Sequence, residues 1–98
     1  MIGLLFEWDD KKDKINLAKH GIDFETAALV FQDKNRIEIY DAIHSDSEDR
    51  YITIGQLNGV AIIIMVVYTE RNQAIRLISA RKATKQEGRM YYECSQKY

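Results

Sequence analysis

No proline interrupts the 98 residues, and cysteine occurs once. The lone Cys94 excludes an intramolecular disulfide and any cysteine-based zinc site within one chain, and it fits a reducing compartment. The glycines at 3, 21, 55, 59 and 88 are scattered, so no glycine-rich phosphate loop of the P-loop or Rossmann kind can form. A Gly-x-Ser-x-Gly nucleophile elbow is missing too. Chemistry driven by nucleoside triphosphates or nicotinamide drops out, and no cofactor is expected. The longest apolar run, Val60 to Tyr68, is nine residues, whereas a membrane helix needs about 20. The opening MIGLLFEWDD has no basic segment ahead of a long apolar run and does not read as a secretory signal. The expectation is a cytoplasmic protein with no membrane partner.

What is present is a single globular domain's worth of chain, 46% hydrophobic and 30% charged, with no linker or repeat to divide it. The net charge of −1 conceals a segregation. Residues 1–49 hold six Lys/Arg and twelve Asp/Glu, a net of −6; residues 50–98 hold eight and three, a net of +5. Between Arg71 and Arg89 six cations face Glu87 alone. Such a pole attracts a phosphate backbone even when the total is near neutral. Equally, the cations can face solvent or pair with the acidic half.

The pattern of residues predicts the elements. Leu4 to Trp8 reads as a short strand. Asp9 caps a helix from Asp10 to His20, which stops at Gly21, a residue that tolerates the left-handed turn. Asp23 caps a second helix whose Phe24, Ala27, Ala28 and Phe31 form one apolar stripe. Ile37 and Ile39 alternate with Glu38 and Tyr40, a strand with one buried face. The polar segment 41–49 is a loop. Tyr51 to Leu57 and Val60 to Tyr68 read as a hairpin about Asn58-Gly59, two residues that accept positive φ. The second run is apolar throughout, so it is expected to be central and covered on both sides. Glu70 to Gln73 is a further turn and Ala74 to Arg81 the last strand. Thr84 and Glu87 make a capping box for a final helix, in which Met90, Tyr91, Cys94 and Tyr98 can share a face and Gly88 costs about 1 kcal/mol relative to alanine. The expected class is α+β: an antiparallel sheet of about five strands, in the order β-α-α-β-β-β-β-α, with helices packed on it.

The acidic loop with Asp41, His44, Asp46, Glu48 and Asp49 lacks EF-hand spacing and its glycine; a solvated loop is the expectation, with no metal. His20, at a helix C-terminus, reads as a partner for an orphan carbonyl. Trp8, Phe24, Phe31 and Tyr40 read as core. The cations are the informative group. Arg76 lies within the last strand, Arg81 and Lys82 end it, and Lys85 and Arg89 begin the following helix, so one basic rim can form. Arginine suits phosphate because its planar fork donates two parallel hydrogen bonds and stays charged. Cleavage of RNA without a metal needs such groups, with a base for the 2′-OH proton and an acid for the leaving 5′ oxygen. Arg76 and Arg81 are an odd number of residues apart, however. In a regular strand they face opposite sides, so a twist or a strand end must reconcile them if both act.

The stretches FEWDDKKDKINLAKHGIDFETAALVF (6–31), DRYITIG (49–55), VVYTER (66–71) and IRLISARKATKQE (75–87), with Tyr91-Tyr92, resemble the BrnT toxin family. Asn-x-x-Lys-His-Gly at 16–21 and Ser-Ala-Arg-Lys-Ala-Thr at 79–84 are specific in combination. Thr26, often acidic in the family, and Gly88, usually a good helix former, are departures. The resemblance implies a RelE-like fold and a ribonuclease toxin that arrests translation. It also implies neutralisation by a BrnA-like ribbon-helix-helix antitoxin, through which alone the chain meets operator DNA, in a heterotetramer. RelE-like enzymes draw on Arg, Lys and Tyr of the sheet and C-terminal region. By that likeness Arg81 and Arg71 are expected to stabilise phosphate charge, with Arg76 and Lys82 as alternates. Glu70, beside Arg71, is the expected base, and Tyr68, Tyr91 and His44 are candidate acids. Lys82, Lys85, Arg89 and Tyr91 are expected to bind RNA. Two functions follow: a metal-independent endoribonuclease, or a catalytically inactive homologue that completes an antitoxin–operator repressor. Direct DNA reading by this chain is set aside, because no helix joins cations to base-reading residues.

Overall fold

A computed structural model describes residues 5–57 and 61–95. Strand β1 (Leu5–Glu7) leads into helices α1 (Asp10–His20) and α2 (Phe24–Ala28), the latter extended by one 3-10 turn over Leu29–Gln32. Strands β2 (Ile37–Tyr40), β3 (Arg50–Gln56), β4 (Ile63–Arg71) and β5 (Ala74–Lys82) follow, then α3 (Lys85–Ser95). The five strands form one sheet in the order β1-β5-β4-β3-β2. The three pairings among β2 to β5 are antiparallel, as expected; β1 lies parallel to β5 and makes the sheet mixed. A parallel neighbour needs a long crossover, and the whole chain between β1 and β5 supplies it.

Local chemistry explains the helix ends. The Asp9 carboxylate accepts from the Lys11 N–H at 2.8 Å, and Gly21, at φ 73°, donates its N–H to the Leu17 carbonyl. Asp23 accepts from the Thr26 N–H at 2.8 Å, while Asp13 of α1 accepts from the Phe24 N–H at 2.7 Å, so one helix also caps the next. Thr84 and Glu87 bond reciprocally, each side chain accepting from the other's N–H. Helix α3 runs through Gly88 without a break, and a Cβ there would meet nothing within 4 Å.

One face of the sheet packs against α1, α2 and the 3-10 turn. Phe24, Ala27, Val30, Phe31, Ile64, Val66, Tyr68, Leu77 and Ala80 form its core. Phe31 is edge-on to Tyr68 with ring centres 5.0 Å apart, and Trp8 is edge-on to Phe24. Tyr40, expected in the core, is instead half-exposed on the edge strand. The other face carries a smaller cluster, Ile54, Met65 and Tyr91, with Ile37, Ile39, Ile52, Ile63 and Val67 against it. Strand β4 is thus central and covered on both sides over much of its length, as its unbroken apolar run implies. It starts at Ile63 and continues to Arg71, because Asn72 (φ 51°) and Gln73 (φ 67°) make a two-residue turn. Glu70 and Arg71, read from sequence as turn, therefore remain in the ladder, where Arg71 pairs with Ala74. The Asn58-Gly59 hairpin, Leu4, Val60 and Tyr98 lie outside the described residues. Of the face expected on α3, only Tyr91 is buried; Met90 and Cys94 are exposed.

Among the described residues, β1 flanks β5 at Ala74 to Arg76. Beyond it the Asn16 side chain takes the place of a strand. Its amide accepts from the Ala80 N–H at 3.1 Å and donates to the Ala80 carbonyl at 2.8 Å and to the Ile22 carbonyl at 2.8 Å. Asn16 is 5% exposed, so these groups have no water to fall back on. Replacing Asn16 with Ala leaves buried polar groups unpaired and is expected to cost about 3 kcal/mol, read by urea denaturation. A loss under about 1 kcal/mol would show that water repairs the gap. Conversely, Gly88→Ala is expected to stabilise the fold by about 0.5–1 kcal/mol in the same assay.

Candidate functional site

The register of β4 on β5 slips once. Val67 pairs with Ser79 and Tyr68 with Leu77, leaving Ile78 as an extra residue. A bulge of this kind shifts the alternation of side chains by one. On the N-terminal side of it Ile75 and Leu77 face the helices; on the C-terminal side Ala80 and Lys82 do. Arg76, Ser79 and Arg81 consequently share the opposite face, reconciling the odd spacing of the two arginines. Register carries this face across the sheet. Arg81 aligns with Met65, and Arg76 aligns with Thr69 and, through it, Arg50. Arg71, two residues beyond Thr69, lies on the same side. Four arginines of three strands therefore share one surface.

Most of them meet a carboxylate. Arg71 forks onto Glu48 (2.9 to 3.2 Å), Arg76 donates to Glu7 at 2.9 Å, and Arg81 forks onto Glu87 at 2.8 and 3.0 Å. Two of these partners, Glu7 and Glu48, come from the acidic half of the sequence, so its charge segregation is partly answered within the fold. No carboxylate pairs with Arg50 among the described residues.

Among the described residues, helix α3 meets this face at its Arg81 end. The Tyr91 ring packs on Ile54 and Met65, and its hydroxyl donates to Asp33 at 2.6 Å. Tyr91, expected to bind RNA, is 3% exposed and serves to seat the helix. Arg81 is engaged in the same task through Glu87. Lys85 and Arg89 are exposed on α3. Lys82 faces the other way, into a hollow with Leu17, Ile22, Asp23 and Thr26.

The remaining predicted residues lie elsewhere. Tyr68 and Glu70 face the helical side, where they line a cleft of about 240 Å³ with Phe31, Arg36 and Glu38. Tyr68 donates to Glu38, and burial followed by that bond pushes its phenol well above its ordinary value, so it holds its proton. Arg36 lies over the Phe31 ring at 4.7 Å and donates to Thr53 at 3.0 Å. Glu70 and Arg71, neighbours in sequence, are thus separated by the sheet, as adjacent strand residues must be. His44 sits in the 41–49 loop, its ring 2.9 Å from Asp41 and its side chain 65% exposed. Sequence reasoning did not single out Arg36, Glu38 or Arg50. The sequence reading began the third strand at Tyr51, whereas it opens at Arg50, and cross-strand register is what sets Arg50 beside Thr69.

The family model described as "Ribonuclease toxin, BrnT, of type II toxin-antitoxin system" matches residues 8–87. The chain belongs to the BrnT toxin family. A search of curated proteins finds no match. The matched span runs from Trp8 through Asn16, Gly21, the bulge and the Arg81–Glu87 pair, so it takes in every strand after β1 and both ends of the arginine face. BrnT membership makes this chain the toxin member of a toxin–antitoxin system, of a ribonuclease family. No helix among the described residues is long and apolar enough to cross a membrane.

Two carboxylates hold α3 down. The bond from Arg81 lowers the Glu87 carboxyl from its ordinary 4.5, outweighing burial. Burial raises Asp33, but bonds from the Gln56 N–H, the Tyr91 hydroxyl and the Asn35 N–H, with Arg36 nearby, bring it net below 3.8. Carboxyls depressed in the folded state contribute stability above their unfolded values and lose it as pH falls through the folded ones. Docking of α3 is therefore expected to be complete above about pH 5 and to weaken below about pH 4, read by near-ultraviolet circular dichroism of the tyrosines. Glu87→Gln with Asp33→Asn should flatten that acid limb; an unchanged limb would assign it to other carboxyls.

Proposed function

We propose that this chain is a metal-independent endoribonuclease toxin that cleaves RNA and thereby inhibits translation. The observation that supports this reading is the register of β4 on β5, which sets Arg76 opposite Thr69 and so places it beside Arg71 on one face of the sheet. The RNA 2′ oxygen is the nucleophile, so no serine or cysteine is required. A carboxylate of the same face takes the 2′-OH proton, and Glu7 is better placed for this than Glu70, since it is already bonded to Arg76. As the bond from the 2′ oxygen to phosphorus forms, the bond to the 5′ oxygen breaks and that oxygen takes a proton, from water or a nearby acid. The products are a 2′,3′-cyclic phosphate and a free 5′-hydroxyl. Arg76 stabilises the charge on the phosphoryl oxygens, and Arg71 holds the neighbouring phosphate. In this reading Arg81 acts through α3.

The partner is a BrnA-like ribbon-helix-helix antitoxin, in a heterotetramer that reaches operator DNA through the antitoxin's own domain. A cytoplasmic location accords with both partners. A second reading has an observation of its own: Arg71, Arg76 and Arg81 are each neutralised by a carboxylate, as in a surface retained for binding. In that case the chain completes a repressor without cutting RNA.

Incubation with RNA in excess chelator separates the two. The toxin reading expects cleavage in EDTA, suppressed by the antitoxin, and a fall of about 100-fold or more with Arg76→Ala. Intact RNA in the presence of correctly folded protein would establish the binding module instead.

A further inference from the structure

The arginine face has one member that nothing so far accounts for. Arg50 opens β3, and its backbone is pinned on both sides. Its N–H donates to the Ser45 hydroxyl at 2.8 Å, and its carbonyl accepts from the Asp41 N–H at 2.9 Å. The next strand is tied to the same corner by Thr69, whose hydroxyl donates to the Asp49 carbonyl at 2.6 Å. The Arg50 side chain, by contrast, is half-buried with no hydrogen bond or ion pair among the described residues. A fixed backbone carrying a guanidinium that need break no ion pair is suited to receive an anion.

Its neighbours define the anion. Glu7, Arg76, Thr69 and Arg50 form one row across β1, β5, β4 and β3. Arg50 and Arg76 flank Thr69 from strands two spacings apart, about 10 Å between backbones, and arginine side chains span that gap from both sides. We infer that Arg50 and Arg76 grip one RNA phosphodiester over Thr69, with Arg50 the principal ligand because Arg76 also holds Glu7. Arg71 stands one same-face step further along β4, about 7 Å, comparable to the step between successive phosphates of an extended strand. A single acidic side chain uses one guanidinium fork; a row of two forks with a third cation beyond suits a polyanion. This deepens the ribonuclease reading and rests on it for the identity of the polyanion.

The test separates binding from cleavage. A 2′-O-methylated oligoribonucleotide has no free 2′-OH and cannot be cut by the route above, yet it presents the same phosphates. Its affinity for the full chain is measured from 50 to 300 mM salt for wild type, Arg50→Ala, Arg50→Lys and, as a control on the far side of the molecule, Lys12→Ala. Arg50→Ala is expected to weaken binding about 10-fold and to reduce the slope of log affinity against log salt by about 1. Arg50→Lys should recover the slope but only part of the affinity, and Lys12→Ala should change neither. Since the Arg50 guanidinium bonds none of the described residues, thermal melting of Arg50→Ala should match wild type. Unaltered affinity and slope in Arg50→Ala would overturn the inference. So would a loss confined to antitoxin binding, which would assign Arg50 to the protein interface. Arg50-dependent oligonucleotide binding with no cleavage of ordinary RNA by wild type would retain the clamp and remove the ribonuclease reading.

Discussion

An extra residue in β5 decides which side of the molecule each half of that strand serves. Without the bulge at Ile78, alternation from Ile75 and Leu77 would carry Ser79 and Arg81 into the helix-packed core. A guanidinium there would face the apolar interior formed by Ile22, Phe24 and Val66, where an unpaired charge costs several kcal/mol. The slip exchanges them for Ala80, small enough to sit beneath α1 and bond Asn16. One irregularity therefore satisfies two demands together. It completes the apolar face against the helices, and it aligns Arg76 with Arg81 on the other face. Asn16 reinforces it, because its amide occupies the edge of β5 just past the bulge, where β1 has ended.

Elements whose determinants are local were legible in the chain. Asp9, Asp23 and the Thr84–Glu87 box mark helix starts that the structure reproduces, and Gly21 marks a helix end. The apolar run of β4 announces a strand buried on both sides. What could not be read depends on register. Glu70 was joined to Arg71 because they are adjacent, yet adjacency within a strand guarantees opposite faces, and the turn that would have excused them is only Asn72 and Gln73. Tyr91 was expected to bind RNA by likeness to RelE-like enzymes, but the helical period turns it inward onto Ile54 and Met65. The odd spacing of Arg76 and Arg81 did signal that β5 departs from regularity. It did not reveal how, since a bulge is set by the partner strand as much as by its own residues. Arg36, Glu38 and Arg50 acquire meaning from partners distant in sequence: Arg36 from Thr53, Glu38 from Tyr68 and Arg50 from Thr69.

The uneven charge of the sequence takes a similar turn. Read linearly it suggests an acidic half and a basic half. In three dimensions Glu7 and Glu48 return to Arg76 and Arg71, so the basic face is studded with carboxylates. These exposed pairs add little stability. Their larger effect is orientation: a guanidinium held by one carboxylate presents its remaining N–H groups in a fixed direction. Arginine has five such donors, and a fork on Glu7 leaves others for a phosphate. Arg50, which meets no carboxylate among the described residues, supplies the positive charge that the ion pairs have balanced elsewhere on the face.

Helix α3 stands apart in how it is held. Among its described residues Tyr91 alone is buried, and the other fastenings are polar: Arg81 to Glu87, Tyr91 to Asp33. Apolar burial by one tyrosine, with a glycine inside the helix, makes α3 a weakly held element beside a sheet whose strands are mutually paired and backed by a continuous core. Arg81 then has a role distinct from that of Arg76 despite the shared face. It closes the capping box, since the Glu87 oxygen that accepts from the Thr84 N–H also accepts from its guanidinium. Position along β5 thus divides the arginines: Arg81 lies beneath the helix and fastens it, while Arg76, on the other side of the bulge, is held by Glu7 rather than by a residue of α3.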